Sequence, residues 1–181
     1  MIPSLFTYTL LAALVLLLGG ISLLAVPGKL EPCLRAFPRH RLTGIITMII
    51  GGGWFIWKIS QLGQSDFGDY KVIMMLLFGA TLLGSIFYVR DFLAVRGVAI
   101  IILLAANTGL KSAFGLYDIP ERLVLVTILY LFIVLSLVYG TLPYKMRDTM
   151  NWLLISRSRL RSLGIILSIL GSSLVVSAFL Y

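Results

Sequence analysis

Cysteine, histidine and acidic side chains are scarce in this sequence, and each scarcity narrows what the chain can do. With one cysteine, Cys33, there is no intrachain disulfide and no Cys-based metal site. With one histidine, His40, no all-protein ligand set for a haem or chlorophyll is expected. Only seven Asp and Glu stand among 181 residues. None falls inside a long apolar run, which argues against a proton-coupled transporter built on a buried carboxylate. Also missing are the phosphate-binding glycine loop, the His-Glu-x-x-His zinc helix, the Cys-x-x-Cys pair and the nucleophile elbow. No cofactor, no metal and no enzymatic activity are expected. Residues 1–28 carry no charged side chain and lack both the basic start and the cleavage site of a signal peptide, so they read as a retained first span.

What the chain has in abundance is apolar length. Hydrophobic residues make up 60% and charged residues 12%, against roughly 25% charged in soluble domains; the mean hydropathy is +1.05. The apolar residues lie in long blocks split by short charged stretches, without a compositional break that would mark a second domain. In water such blocks would need far more polar cover than the chain owns, whereas lipid lets apolar side chains face outward. The net charge of +8 would suggest nucleic acid in a soluble protein. Here the cations flank the apolar blocks, as topology signals and contacts to anionic headgroups do, so no nucleic-acid partner is expected.

A spanning helix takes about 20 apolar residues. Six segments approach that length: residues 6–26, 42–58, 72–89, 92–114, 123–142 and 163–181. The fourth reaches it only if Arg96 and Lys111 snorkel, since they bound just fourteen residues. The expectation is a single all-α domain, a polytopic membrane protein whose six transmembrane helices form a bundle built from helical hairpin repeats. The first, third and fifth linkers carry net charges of +3, +1 and +4, and the second and fourth are neutral. The positive-inside rule then puts the odd linkers in the cytoplasm and both termini outside. In the fifth linker Met146, Met150, Leu153 and Leu154 share one side at helical spacing, which predicts an interfacial helix over 145–160. Its cations, Arg147, Arg157, Arg159 and Arg161, either dock a partner or only fix orientation at the anionic headgroups.

A shift of 120 residues superimposes Arg39 on Arg159, Arg41 on Arg161, Gly44 on Gly164 and Gly51 on Gly171, with Ile45–Ile46 on Ile165–Ile166. Upstream, with a four-residue insertion, Pro27 and Lys29 match Pro143 and Lys145. Both units read as span, proline, basic linker, then Arg-x-x-Gly opening the next span; Arg96-Gly97 offers a shortened third copy. Parallel repeats of this sort are familiar in membrane folds. The unit at 143–176, with Leu160-Arg161-Ser162-Leu163-Gly164, resembles the small two-helix bacterial inner-membrane proteins of the YjeT type. In that family a Leu-Arg-x-x-Gly element opens the second helix. The likeness covers about a third of the chain, and the first unit departs from it by having His40-Arg41. That family has no established activity, so the resemblance implies a bacterial inner-membrane setting and little more.

Small residues recur every fourth position: Ala80 and Gly84; Ala105, Gly109 and Ala113; Ser136 and Gly140; Gly164, Ser168 and Ser172. Gly51, Gly52 and Gly53 form a cluster. Such spacing lets helix backbones approach, either inside one chain or between this chain and another membrane protein or a second copy. Arg96, Asn107 and Lys111, with Arg90 and Asp91 before them, are the best intramembrane polar set, and snorkelling accounts for them equally. Cys33 reads as an inert thiol, with palmitoylation or redox activity as the alternatives, and His40 as a headgroup-level residue. Two functions remain open: a non-catalytic subunit or scaffold, or a small transporter or channel for a neutral or anionic solute.

Overall fold

A computed structural model describes residues 4–88 and 91–181, apart from the side chains of Lys29 and Ser65. Among these residues the protein is all-α, with eight helices and no strand. They are α1 (Leu5–Ala25), α2 (Pro27–Ala36), α3 (Arg41–Ser60), α4 (Lys71–Tyr88), α5 (Leu93–Ala113), α6 (Arg122–Thr141), α7 (Pro143–Leu154) and α8 (Arg157–Phe179). All but α2 and α7 are long and apolar enough to cross a membrane, α4 being extended by a 3₁₀ turn to Gly68–Tyr88.

Prolines and caps set the breaks. The residue before a proline is pushed out of the helical region. Val26 accordingly leaves the helix at φ −136° and ends α1, and Leu142 stands between α6 and α7 in the same way. Pro27 and Pro143 then occupy the first position of α2 and α7, where the missing N–H costs nothing. The ring nitrogen Nδ1 of His40 accepts from the Thr43 amide at 3.2 Å and starts α3. Ser156 does the same for α8 through the Ser158 amide.

This corrects the linker expectation. The helix in the fifth linker runs Pro143–Leu154 rather than 145–160, because Ser156 caps a new helix. The last span therefore begins at Arg157, not at 163. The first linker holds a helix too, α2, which the apolar pattern did not signal. The fourth span is a full helix of 21 residues, about 31 Å at 1.5 Å per residue, with Arg96 and Lys111 inside it. Residue 89, the expected end of the third span, and Arg90 lie outside the described residues.

The chain divides into two compact units. The first holds the described residues up to Arg35 with Ala105–Leu135 and Arg147–Tyr181. Here α1 and α8 pack antiparallel: Thr9 meets Tyr181 (Oγ1 to OH, 3.2 Å), Gly20 meets Gly164, and Leu23 packs with Leu160. Leu5, Ala13, Ala106, Leu125, Ile128, Leu129 and Leu174 form its core. A smaller cluster gathers Leu30 and Leu34 of α2 and Leu154 of α7 around Leu23 and Leu160. The second unit holds the described residues of Ala36–Leu104 with Ser136–Met146. In it α3 and α4 form an antiparallel pair, with Phe55 edge-on to Phe78 at 4.9 Å. Along α5, Gly44 meets Leu93 and Ala94 while Gly51 meets Ile100, so α3 and α5 run parallel.

Candidate interaction surfaces in the membrane

Lipid tails are as apolar as leucine, so helices associate through close packing, and glycine permits the closest approach. In the first unit a β-carbon on Gly20 would stand 2.8 Å from both the Gly164 carbonyl oxygen and the Ser168 amide nitrogen. Gly164 reciprocates, at 3.0 Å from the Gly20 oxygen, and Gly171 lies against Leu17. Gly109 is pressed by the Tyr8 ring and by Leu129 Cδ1, and the Tyr8 hydroxyl donates to the Ala105 carbonyl at 2.6 Å. In the second unit a β-carbon on Gly51 would stand 3.1 Å from the Gly97 oxygen and one on Gly97 would stand 2.7 Å from the Met48 amide nitrogen, while Gly52 meets Leu82. Gly140 touches Ala99. Gly51, Gly52, Ala105, Gly109 and Gly164 are thus placed in packing within the chain.

Others of the small-residue set face outward. A β-carbon on Gly53, Gly79 or Gly84 would meet nothing within 4 Å, and Ala80 is exposed. Ser172 is exposed and lines a shallow groove of about 480 Å³ with Ser168, Ser173, Ile165, Ile169 and Leu24. Ser168 lies against Gly20, its Oγ buried without a hydrogen-bond partner among the described residues, as is that of Ser136.

The helix α4 carries most of the outward small positions and has no buried residue. Val72, Ile73, Leu76, Leu77, Leu83 and Phe87 are 58–70% exposed. Covering a side chain of this kind is worth roughly 1.5–3 kcal/mol, which water cannot supply and lipid or a partner helix can. Between α3, α4 and α5 of the second unit lies a half-open cleft of about 310 Å³, lined by Met48, Gly52, Phe55, Phe78, Leu82, Ile100 and Leu103. Its hydroxyl, on Thr81, is already spent on the Leu77 carbonyl at 2.8 Å.

Arg96 is half-buried near the start of α5, while Asn107 and Lys111 share an exposed face near its end. No described side chain forms an ion pair with any of the three. Of the linker cations, Arg147 pairs with Asp148 (2.8 Å). Arg159 donates to the Trp152 carbonyl (3.1 Å) and lies over its ring at 4.5 Å. Arg157 lies beside Gly28, and Arg161 is exposed, with no ion pair among the described residues. Among the described residues no group of His, Cys, Asp and Glu is placed to hold a metal ion.

Two contributors were not singled out by the sequence reading. Arg122 donates from Nη1 to the Ala113 carbonyl at 3.1 Å, closing the end of α5, and stacks on Tyr117 at 4.9 Å. A cation there opposes the partial negative charge of the helix end. The other is Gly20, whose signal in the sequence is its spacing of seven from Ala13, also buried.

An all-α chain with six helices of spanning length and apolar outer faces is a multi-pass membrane protein. Comparison with protein-family models, curated proteins and solved structures finds no match to it.

Proposed function

We propose that this chain is a non-catalytic membrane subunit or scaffold that packs against another membrane protein or a second copy through α4. The observation that carries the reading is the state of α4: none of its residues is buried, and Gly79, Ala80 and Gly84 leave its outer surface open to a backbone of similar size. By contrast, the small residues of α1, α3, α5 and α8 are largely spent on internal crossings. The setting we propose is a bacterial inner membrane, with the odd linkers cytoplasmic and both termini outside. The charge alternation supports it, and the antiparallel α1–α8 pair, which brings Tyr181 to Thr9, supports an even number of crossings. Two hairpin repeats are part of the same reading. Supporting them, Pro27 and Pro143 open comparable linker helices, and Gly44 and Gly164 each sit at a close crossing. The alternative, a small transporter or channel, draws less support, since the cleft in the second unit offers apolar carbon and a hydroxyl already engaged.

Site-specific photocrosslinking in native membranes tests the reading. A photoreactive residue at Ala80 is expected to trap one discrete protein partner, and Gly84→Leu to abolish that adduct while leaving the chain folded. Adducts to lipid alone, unaltered by Gly84→Leu, would refute it.

A further inference from the structure

The two linker helices of the first unit meet at one level. Leu30 and Leu34 of α2 and Leu154 of α7 gather on Leu23, near the end of α1, and Leu160, in the first turn of α8. The acids of these helices are taken: Glu31 by Arg35 at 3.3 Å and Asp148 by Arg147 at 2.8 Å. That leaves Arg157, Arg159 and Arg161 without a carboxylate among the described residues. Trp152 holds Arg159 through its carbonyl and its ring. Arg157 and Arg161, four apart on α8, share a face and are exposed. Just before them in the chain, Trp152 is 54% and Ile155 73% exposed.

We infer that this corner between α7 and α8 binds the phosphate headgroup of an anionic phospholipid. Arg157 and Arg161 supply the charge, and Trp152 and Ile155 sit at the boundary between headgroup and acyl chain. Three features select lipid over a soluble acidic protein. The arginines occupy the first turns of a helix that continues directly into a membrane-spanning run, which is phosphate depth. The exposed indole and isoleucine that precede them in the chain suit the interfacial layer. The two exposed guanidinium groups match phosphate oxygens in geometry. The inference goes beyond the subunit reading and needs only that the chain spans lipid.

The test uses the purified full chain, titrated with phosphatidylglycerol or phosphatidylcholine and followed by native mass spectrometry. The wild type is expected to retain phosphatidylglycerol preferentially. A surface cation contributes about fivefold in affinity, so Arg157→Gln weakens binding by about that factor and Arg157→Gln with Arg161→Gln by more than tenfold. Arg157→Lys keeps most of it, and Lys58→Gln with Lys71→Gln leaves it unchanged. Should the double variant fail to fold, wild-type binding must still weaken as salt rises from roughly 0.05 to 0.5 M. Equal retention of both lipids, indifference to salt, or loss of a bound protein but not of lipid in the double variant would each overturn the inference.

Discussion

Gly19 and Gly20 are neighbours on α1 with opposite surroundings, and replacing each by alanine isolates the worth of the α1–α8 crossing. At Gly19 a methyl group meets nothing within 4 Å. At Gly20 it would sit 2.8 Å from the Gly164 oxygen and the Ser168 nitrogen. The Ser168 hydroxyl, closer still, can rotate away, but these two obstacles are backbone and no rotamer change relieves them; reaching an ordinary contact with them requires the two helices to part by about 0.6 Å, taking about 3.4 Å as that contact. Overpacking of this kind costs about 1–3 kcal/mol. The gain in helix propensity from Gly to Ala, up to about 1 kcal/mol, is common to both variants and cancels in the comparison. Gly20→Ala is therefore expected to be less stable than Gly19→Ala by about 1–3 kcal/mol, roughly 5- to 150-fold in the unfolding equilibrium. Reversible unfolding in mixed micelles, followed by circular dichroism, reads this directly. Equal stability of the two variants would refute the view that a backbone-to-backbone crossing holds α1 to α8.

The same logic predicts that Gly97→Ala, with its new methyl 2.7 Å from the Met48 amide, destabilises the second unit while Gly53→Ala does not; thermal melts of the detergent-solubilised chain compare them. Arg122→Gln removes a charged hydrogen bond to the Ala113 carbonyl and the stack on Tyr117, for a loss of about 1.5–3 kcal/mol, measured as a lowered unfolding midpoint. Tyr8→Phe deletes the 2.6 Å bond to the Ala105 carbonyl and should cost about 1 kcal/mol, visible as faster hydrogen exchange near the end of α5. Thr9→Val removes a buried hydroxyl that donates to Leu5 and meets Tyr181. It should increase proteolysis at the carboxyl end with little change in helix content.

Much of the helical framework was legible in the residues. The first, second, fourth and fifth spans end within two residues of where the apolar runs place them. The last span began early because Ser156, a polar residue inside a basic linker, caps a helix; hydropathy records its polarity and not its hydrogen bond to Ser158. The helix α2 escaped notice because it is short, mixes charges with Leu30 and Leu34, and contains Pro32, so its apolar face becomes evident only when Leu23 and Leu160 are brought beside it.

The sequence alone determined that six runs are long and apolar enough to cross a membrane and where they are interrupted, because each is a property of a contiguous stretch measured against a slab about 30 Å thick. It did not determine which side of a helix faces the chain's own interior. Gly52 lies against Leu82 while Gly53, next to it, meets nothing; Gly164 is spent on Gly20 while Gly84 is left outside. In lipid both surfaces of a helix are apolar, so hydrophobicity carries no information about which is which. Only the packing of one helix on another, settled by tertiary structure, distinguishes a glycine that closes a crossing from one left free to accept a partner.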